Sequence, residues 1–177
     1  SYRRIVFGFL IFLVGSAILS LCTIFLHVRV PSSRSHLAKS HEIDCRGNLK
    51  AIFYALWQYT GDNEGYFPGV NGVAGLELLR SKGYLTNPRS YICLGSKIKP
   101  GADGQPLMNS TVSYNYRGRG LRDDCIDYIC WDKSGNHETG KVNVLFTNGT
   151  IKSYNENNWR KEVQEYIRTH SKEREQR

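Results

Sequence analysis

The stretch CRGNLKAIFYALWQY, residues 45–59, decides the fold. Cys45, Leu49, Ile52, Phe53 and Leu56 recur at intervals of three and four, the period of an α-helix with one face turned to a core. Gly61, Asp62 and Asn63 follow, then a turn over residues 65–68. The spacing therefore predicts an amphipathic helix that ends near Tyr59.

Upstream, Pro31, Ser32 and Ser33 interrupt the chain, and Ser33 or Ser35 supplies an N-cap for a new helix. Before them lie residues 5–28, IVFGFLIFLVGSAILSLCTIFLHV, whose only candidate for a charge is His27. About twenty-four residues at ~1.5 Å each reach roughly 36 Å, enough to cross a ~30 Å hydrocarbon core. In lipid a helix is the form that pairs all its own backbone groups. The chain thus reads as a transmembrane anchor over 1–30, a juxtamembrane segment over 31–44, an extracytoplasmic head over 45–170 and a charged tail over 171–177. Gly15, Ser16 and Ser20 give the anchor a face of small residues on which like helices can approach. The basic start at Arg3 and Arg4, the long apolar run and the lack of a small-x-small cleavage site describe a retained signal-anchor.

Arg29, Arg34 and Lys39 balance Arg3 and Arg4 across the span, so charge does not set its orientation. These flanking cations suit the surface of an inner membrane rich in anionic lipid. The net charge of +8 is otherwise scattered among acidic residues, with no dense basic block interleaved with aromatics, which disfavours a nucleic-acid surface. Cys22 falls in the anchor, leaving Cys45, Cys93, Cys125 and Cys130 in the head. No C-x-x-C doublet points to zinc. An even number of cysteines in an exported head is expected to form disulfides, in any of three pairings; this favours a cytoplasmic N-terminus and a periplasmic or extracellular head.

Downstream, Leu76, Leu78, Leu79 and Leu85 flank a short helix stopped by Gly83. Residues 90–93, 111–116 and 126–131 read as strands, and 97–109 as an exposed loop. Residues 141–146 and 151–154 are β-rich runs joined at Asn148 and Gly149, the preferred pair for a type I′ hairpin. Residues 155–158 cap a last helix carrying Trp159, Val163 and Ile167, which is expected to fray from His170. The class is α+β: a long N-terminal helix, transmembrane then amphipathic, packed on a small antiparallel sheet, with a short C-terminal helix.

Chemistry is sparse. Asp132, Ser134 and Asn136 place oxygen donors at alternate positions, as a calcium loop does, but His137 stands where that loop needs glycine and Asn143 where it needs glutamate. No cofactor is expected, Ca2+ being the one cation this loop would suit. His137 has no nucleophile or carboxylate partner fixed by spacing, and Asp124 and Asp127 disfavour a thiolate at Cys125. No catalytic residue, and hence no enzyme, is expected.

An ordered set of segments resembles a bacterial pseudopilin-like family that has a prepilin-type N-terminus and a C-terminal His-x9-Asp-Gly motif. CRGNLKAI from residue 45, Ala55, Leu56 and Tyr59, and NEGYFP from residue 63 are similar to its opening. Tyr91, Ile92 and Cys93 resemble its aromatic-x-Cys-Pro segment, with Leu94 in place of Pro, and SYNY from residue 113 resembles its Ser-Tyr segment. Trp131, Asp132 and Lys133, then Asn136 and His137, then VNVLFTNG over 142–149 resemble its closing block. Here ten residues, rather than nine, separate His137 from Asn148 and Gly149, and Asn148 replaces Asp. If Gly8 and Phe9 flank the peptidase junction, Leu13 occupies the position of the family's glutamate. The resemblance implies a structural subunit of type II secretion or type IV pilus kind, assembling through its hydrophobic N-terminal helix. Its partners would be copies of itself, other pilin or pseudopilin subunits and an assembly platform. The alternative is a permanently anchored extracytoplasmic binding module for a glycan, DNA or a protein, using residues 97–109 or 123–137.

Overall fold

Helix α1, Ser33–Asp62, covers one face of the sheet. The computed structural model describes residues 33–175, with side chains from 35 to 171. The expected anchor, with Gly15, Ser16 and Ser20, lies outside the described residues. Among those described, no helix is long and apolar enough to cross a membrane. Residues from Leu37 onward form one compact unit.

The face of α1 predicted to pack does so: Cys45, Leu49, Ile52 and Leu56 are buried together with Ala55, and Phe53 is half-buried against them. The helix runs a little past Tyr59 and closes at Asp62. There Asn63 Nδ2 donates to the Tyr59 carbonyl at 2.7 Å, and the Gly65 N–H reaches the Thr60 carbonyl at 2.9 Å. Gly65 has φ +80°, a left-handed conformation that costs glycine little.

Strands β1 (Tyr114–Tyr116), β2 (Tyr128–Asp132), β3 (Lys141–Phe146) and β4 (Ile151–Asn155) pair in chain order, all antiparallel. Side chains alternate across a strand, and β3 uses both sides. Leu145 packs with Leu49, Ile52 and Cys130 on the α1 side. Val142, Val144 and Phe146 pack with Trp159 and Val163 of helix α3, Trp159–Glu175. The sheet is thus covered on both faces. On the α3 side Tyr128, Trp131 and Trp159 form an aromatic triangle with ring centres 5.3 to 5.9 Å apart, a spacing that favours edge contacts. The last helix continues beyond His170, where fraying was expected; an Arg168–Glu165 pair at 2.6 Å lies one turn before this extension.

Helix α2, Val73–Ser81, buries Gly75, Leu76 and Leu79, and Gly83 follows it as predicted. Residues 90–93 correct the sequence reading. Asn87 accepts the Arg89 N–H at 3.0 Å and Pro88 leads, so the chain turns through a 3-10 helix, Pro88–Tyr91, rather than a strand. Residues 111–116 shorten to β1, because Thr111 closes a second 3-10 turn, Asn109–Thr111, with its hydroxyl on the Met108 N–H at 2.9 Å. The loop over 97–109 is largely exposed, but Leu107 is buried and its N–H donates to Glu77 Oε2 at 2.8 Å.

The hairpin at Asn148 and Gly149 forms, with a different turn. Glu64 is the only described non-glycine residue with positive φ, so Asn148 is not left-handed and a type I′ turn is excluded. Gly149, at φ +81°, instead follows a turn closed by its own N–H to the Phe146 carbonyl at 3.0 Å. This is a type I turn with a glycine bulge. Thr147 holds it there: its hydroxyl donates to the Cys125 carbonyl at 2.6 Å and accepts the Asp127 N–H at 3.1 Å.

Two glycines give opposite expectations. A Cβ at Gly75 would collide with the Tyr116 ring and the Val70 carbonyl, whereas one at Gly47, mid-helix in α1, meets nothing within 4 Å. Gly75→Ala is expected to cost about 1–3 kcal/mol, as overpacking does. Gly47→Ala is expected to stabilise by about 0.5–1 kcal/mol. Urea denaturation of both variants checks the pair.

Glu77 gives a pH test. The Arg80 guanidinium, at 2.7 and 2.8 Å, and the Leu107 N–H hold its carboxyl below its ordinary 4.5, against a modest desolvation cost. A depressed carboxyl stabilises the fold above its unfolded value and loses that contribution as pH falls through the folded one. Amide exchange at Leu107 should accelerate as pH drops below about 4.5, after correction for intrinsic rates. Glu77→Gln should exchange fast throughout.

Candidate functional site

Three separate segments converge beneath α1. Cys45 is the first buried residue of that helix. Cys93 follows the first 3-10 turn, which Asn48 of α1 fixes by donating to the Ile92 carbonyl at 2.6 Å. His137 lies in the loop between β2 and β3. The sulfurs of Cys45 and Cys93 and a ring nitrogen of His137 lie within 4.8 Å of one another, all buried. Among the described residues this is the one grouping that could hold a metal ion.

Asp132, the last residue of β2, organises the cluster. Its side chain is 1% exposed. Oδ2 accepts the Asn143 backbone N–H at 2.7 Å, Asn143 Nδ2 at 2.9 Å and His137 Nε2 at 2.9 Å. Oδ1 accepts the Cys45 thiol at 2.9 Å. Asn143 is in turn held by the Ser153 hydroxyl, which donates to its Oδ1 at 2.5 Å. On the other side Tyr114, paired with Asp132 across β1 and β2, sets its hydroxyl 3.1 Å from Cys45 Sγ. The loop carrying His137 is fixed by Asn136, whose amide donates to the Ser113 carbonyl at 2.7 Å. Gly95 closes the lid from the Cys93 side: a Cβ there would lie 2.5 Å from the Asn136 carbonyl oxygen.

Electrostatics follow from this wiring. Cys45 has one proton, for which Asp132 and the Cys93 sulfur compete; the contact with Cys93, burial and the Asp132 charge together hold it as a thiol. Cys93 moves the opposite way, to about 5, because its partner Cys45 donates to it and His137 stands beside it, outweighing burial. Burial works against a charged His137, but the bond to Asp132 and the contact with Cys93, 3.8 Å from Nε2, carry it up to about 10. The two shifts run in opposite directions and favour charge separation, with the Cys93 sulfur toward thiolate and His137 toward imidazolium. With Cys93 and His137 buried, this pair is closed to bulky substrates.

Several expectations change here. The four cysteines of the head, expected to pair, form no disulfide here. Cys130 is buried in the core, and Cys125 donates to the Arg122 carbonyl at 2.9 Å. The oxygen set Asp132, Ser134 and Asn136 does not converge: Asp132 turns inward, Ser134 is exposed and Asn136 is spent on Ser113. His137 gains the carboxylate partner that spacing did not reveal. Asn148 and Gly149 serve the β3–β4 turn, where a Cβ on Gly149 would lie 2.6 Å from the Phe53 ring of α1. Sequence reasoning missed Asn143 and Tyr114; the only signal was the polar Asn143 inside an otherwise apolar strand.

Asp132→Ala leaves four donors without their acceptor and is expected to cost about 3–5 kcal/mol, as removing one partner of a buried charge pair does. Cys125→Ser keeps its donor and should stay within about 0.5 kcal/mol of the parent. Denaturant midpoints under reducing conditions measure both.

Comparison with family models, with curated proteins and with solved structures gives no match.

Proposed function

We propose that the chain is a pilin- or pseudopilin-like structural subunit of a bacterial secretion system or surface filament, assembling through its hydrophobic N-terminal stretch. The observation that carries this reading is the division of α1 into two faces. The buried row of Cys45, Leu49, Ile52 and Leu56 docks the helix on an antiparallel meander. Ile43, Tyr54 and Trp57 stand more than half exposed, and by the 3.6-residue period they fall on the opposite side. A helix with its second apolar row turned outward is suited to packing beside copies of itself or related subunits. Residues 5–28, directly upstream in sequence, are apolar enough to pack in a filament core or to wait in a membrane. Resemblance in the segments at 45–68, 91–93, 113–116 and 131–149 supports the same role.

The test is electron microscopy of sheared surface material from the native source, with mass spectrometry of the chain. Filaments that contain it are expected. Trp57→Glu should leave the denaturation midpoint nearly unchanged, since the side chain is exposed, yet deplete the chain from the sheared fraction at least tenfold. A chain recovered only from membranes would sink the filament reading and favour the anchored binding module.

A further inference from the structure

We propose that Cys45, Cys93 and His137, with Asp132, form a binding site for a single zinc(II) ion that ties α1 to the sheet. The inference goes beyond the filament reading and does not depend on it. In tetrahedral zinc sites with metal–sulfur bonds of about 2.3 Å and metal–nitrogen bonds of about 2.0 Å, neighbouring ligand atoms sit roughly 3.3–3.8 Å apart. Here the three donor atoms lie within 4.8 Å of one another, with Cys93 Sγ 4.0 Å from His137 Nδ1. A small inward movement completes the geometry. Two thiolates and an imidazole select a borderline ion such as zinc over calcium or magnesium.

Asp132 supplies what metal-bound histidines commonly have, a carboxylate on the far ring nitrogen. It accepts from His137 Nε2 at 2.9 Å, which leaves Nδ1 for the ion. Its other oxygen lies 2.9 Å from Cys45 Sγ, a separation that needs a proton or a cation between two acceptors. With zinc on the sulfur, a zinc-bound water completes the four-coordinate shell and gives Oδ1 a donor in place of the lost thiol proton, while Asp132 stays on the far ring nitrogen. The balance is simple: Zn2+ enters, two protons leave, and the buried net charge is unchanged.

A Cys45–Cys93 disulfide is the rival product. Its formation would remove the one donor that the described residues give Asp132 Oδ1, and would leave a buried carboxylate oxygen unpaired. It would also leave the convergence of His137 and Asp132 without a role.

The site joins positions 45, 93, 132 and 137, which come from the helix, two loops and a strand. Such an ion would act structurally, since Cys45, Cys93 and His137 are all buried and leave no path for a substrate.

The experiment uses the full chain in detergent, reduced and stripped of metal. Titration with cobalt(II) is expected to saturate at one equivalent, with thiolate-to-cobalt absorption in the near ultraviolet and tetrahedral bands in the visible. Zinc(II) should displace the cobalt and raise the thermal midpoint. In weakly buffered solution two protons should appear per zinc bound. Cys93→Ser should weaken both the sulfur band and zinc affinity at least tenfold, while Cys130→Ser and Cys125→Ser keep them. Circular dichroism of each variant separates loss of the site from loss of the fold. The proposal is overturned if the unmodified reduced chain fails to bind cobalt or zinc. It is likewise overturned if binding survives in folded Cys45→Ser and Cys93→Ser, or if the isolated chain carries a Cys45–Cys93 disulfide and no metal.

Discussion

A carboxylate survives in a protein interior only where donors replace the water it has lost. Asp132 collects them from Cys45 on α1, from His137 in the β2–β3 loop and from the backbone and side chain of Asn143 on β3. Each bond is a constraint on where an element may lie. The helix cannot slide along the sheet without withdrawing the Cys45 thiol from Oδ1, and the β2–β3 loop cannot open without releasing His137. Beyond this polar knot lies the apolar core, with Leu49, Ile129 and Leu145 fully buried. An apolar core fixes composition and density but tolerates small shifts in register. A charged acceptor with directional donors does not, so the knot narrows the ways in which α1 can sit on the strands.

The elements themselves were largely legible. The 3.6-residue recurrence at 45–56 marked the buried face of α1, and the β-rich runs around Asn148 and Gly149 marked the last hairpin, because those signals are local. The errors arose where one side chain redirects its own backbone. Asn87 and Pro88 start a 3-10 turn in a segment whose Tyr91, Ile92 and Cys93 look like strand. Thr147, drawn to the Cys125 carbonyl and the Asp127 N–H, turns the hairpin away from type I′. Both outcomes depend on hydrogen bonds that periodicity does not describe.

The candidate site was the least legible part, for a different reason. Its members sit at positions 45, 93, 132, 137 and 143, and no spacing rule links residues so far apart. Alternating oxygens at 132, 134 and 136 suggested a local loop site, but in a strand that alternation sends every second side chain the same way only until the strand ends. β2 ends at Asp132, so Ser134 and Asn136 follow a turn with no obligation to face it. Cysteine counting is no better a guide to the site: the fold brings Cys45 and Cys93 within 4.8 Å of one another beside His137, while Cys130 is committed to the core beside Leu145.

Where the knot falls along α1 bears on what the helix can transmit. None of residues 37–44 is buried, and Cys45 is the first that is. The polar contacts of Asp132 therefore act at the point where the helix begins to be buried. A displacement of the upstream part of α1 reaches the sheet through the Glu42–Lys141 ion pair at 3.9 Å and then through Cys45 and the Asn48 bond to Ile92. Apolar contacts resist such loading in proportion to area and yield gradually, whereas a buried carboxylate stripped of a donor pays its full desolvation cost at once. The outward row of Ile43, Tyr54 and Trp57 begins just before this point and continues beyond it, so the exposed apolar row lies largely along the part of the helix that the knot holds in place.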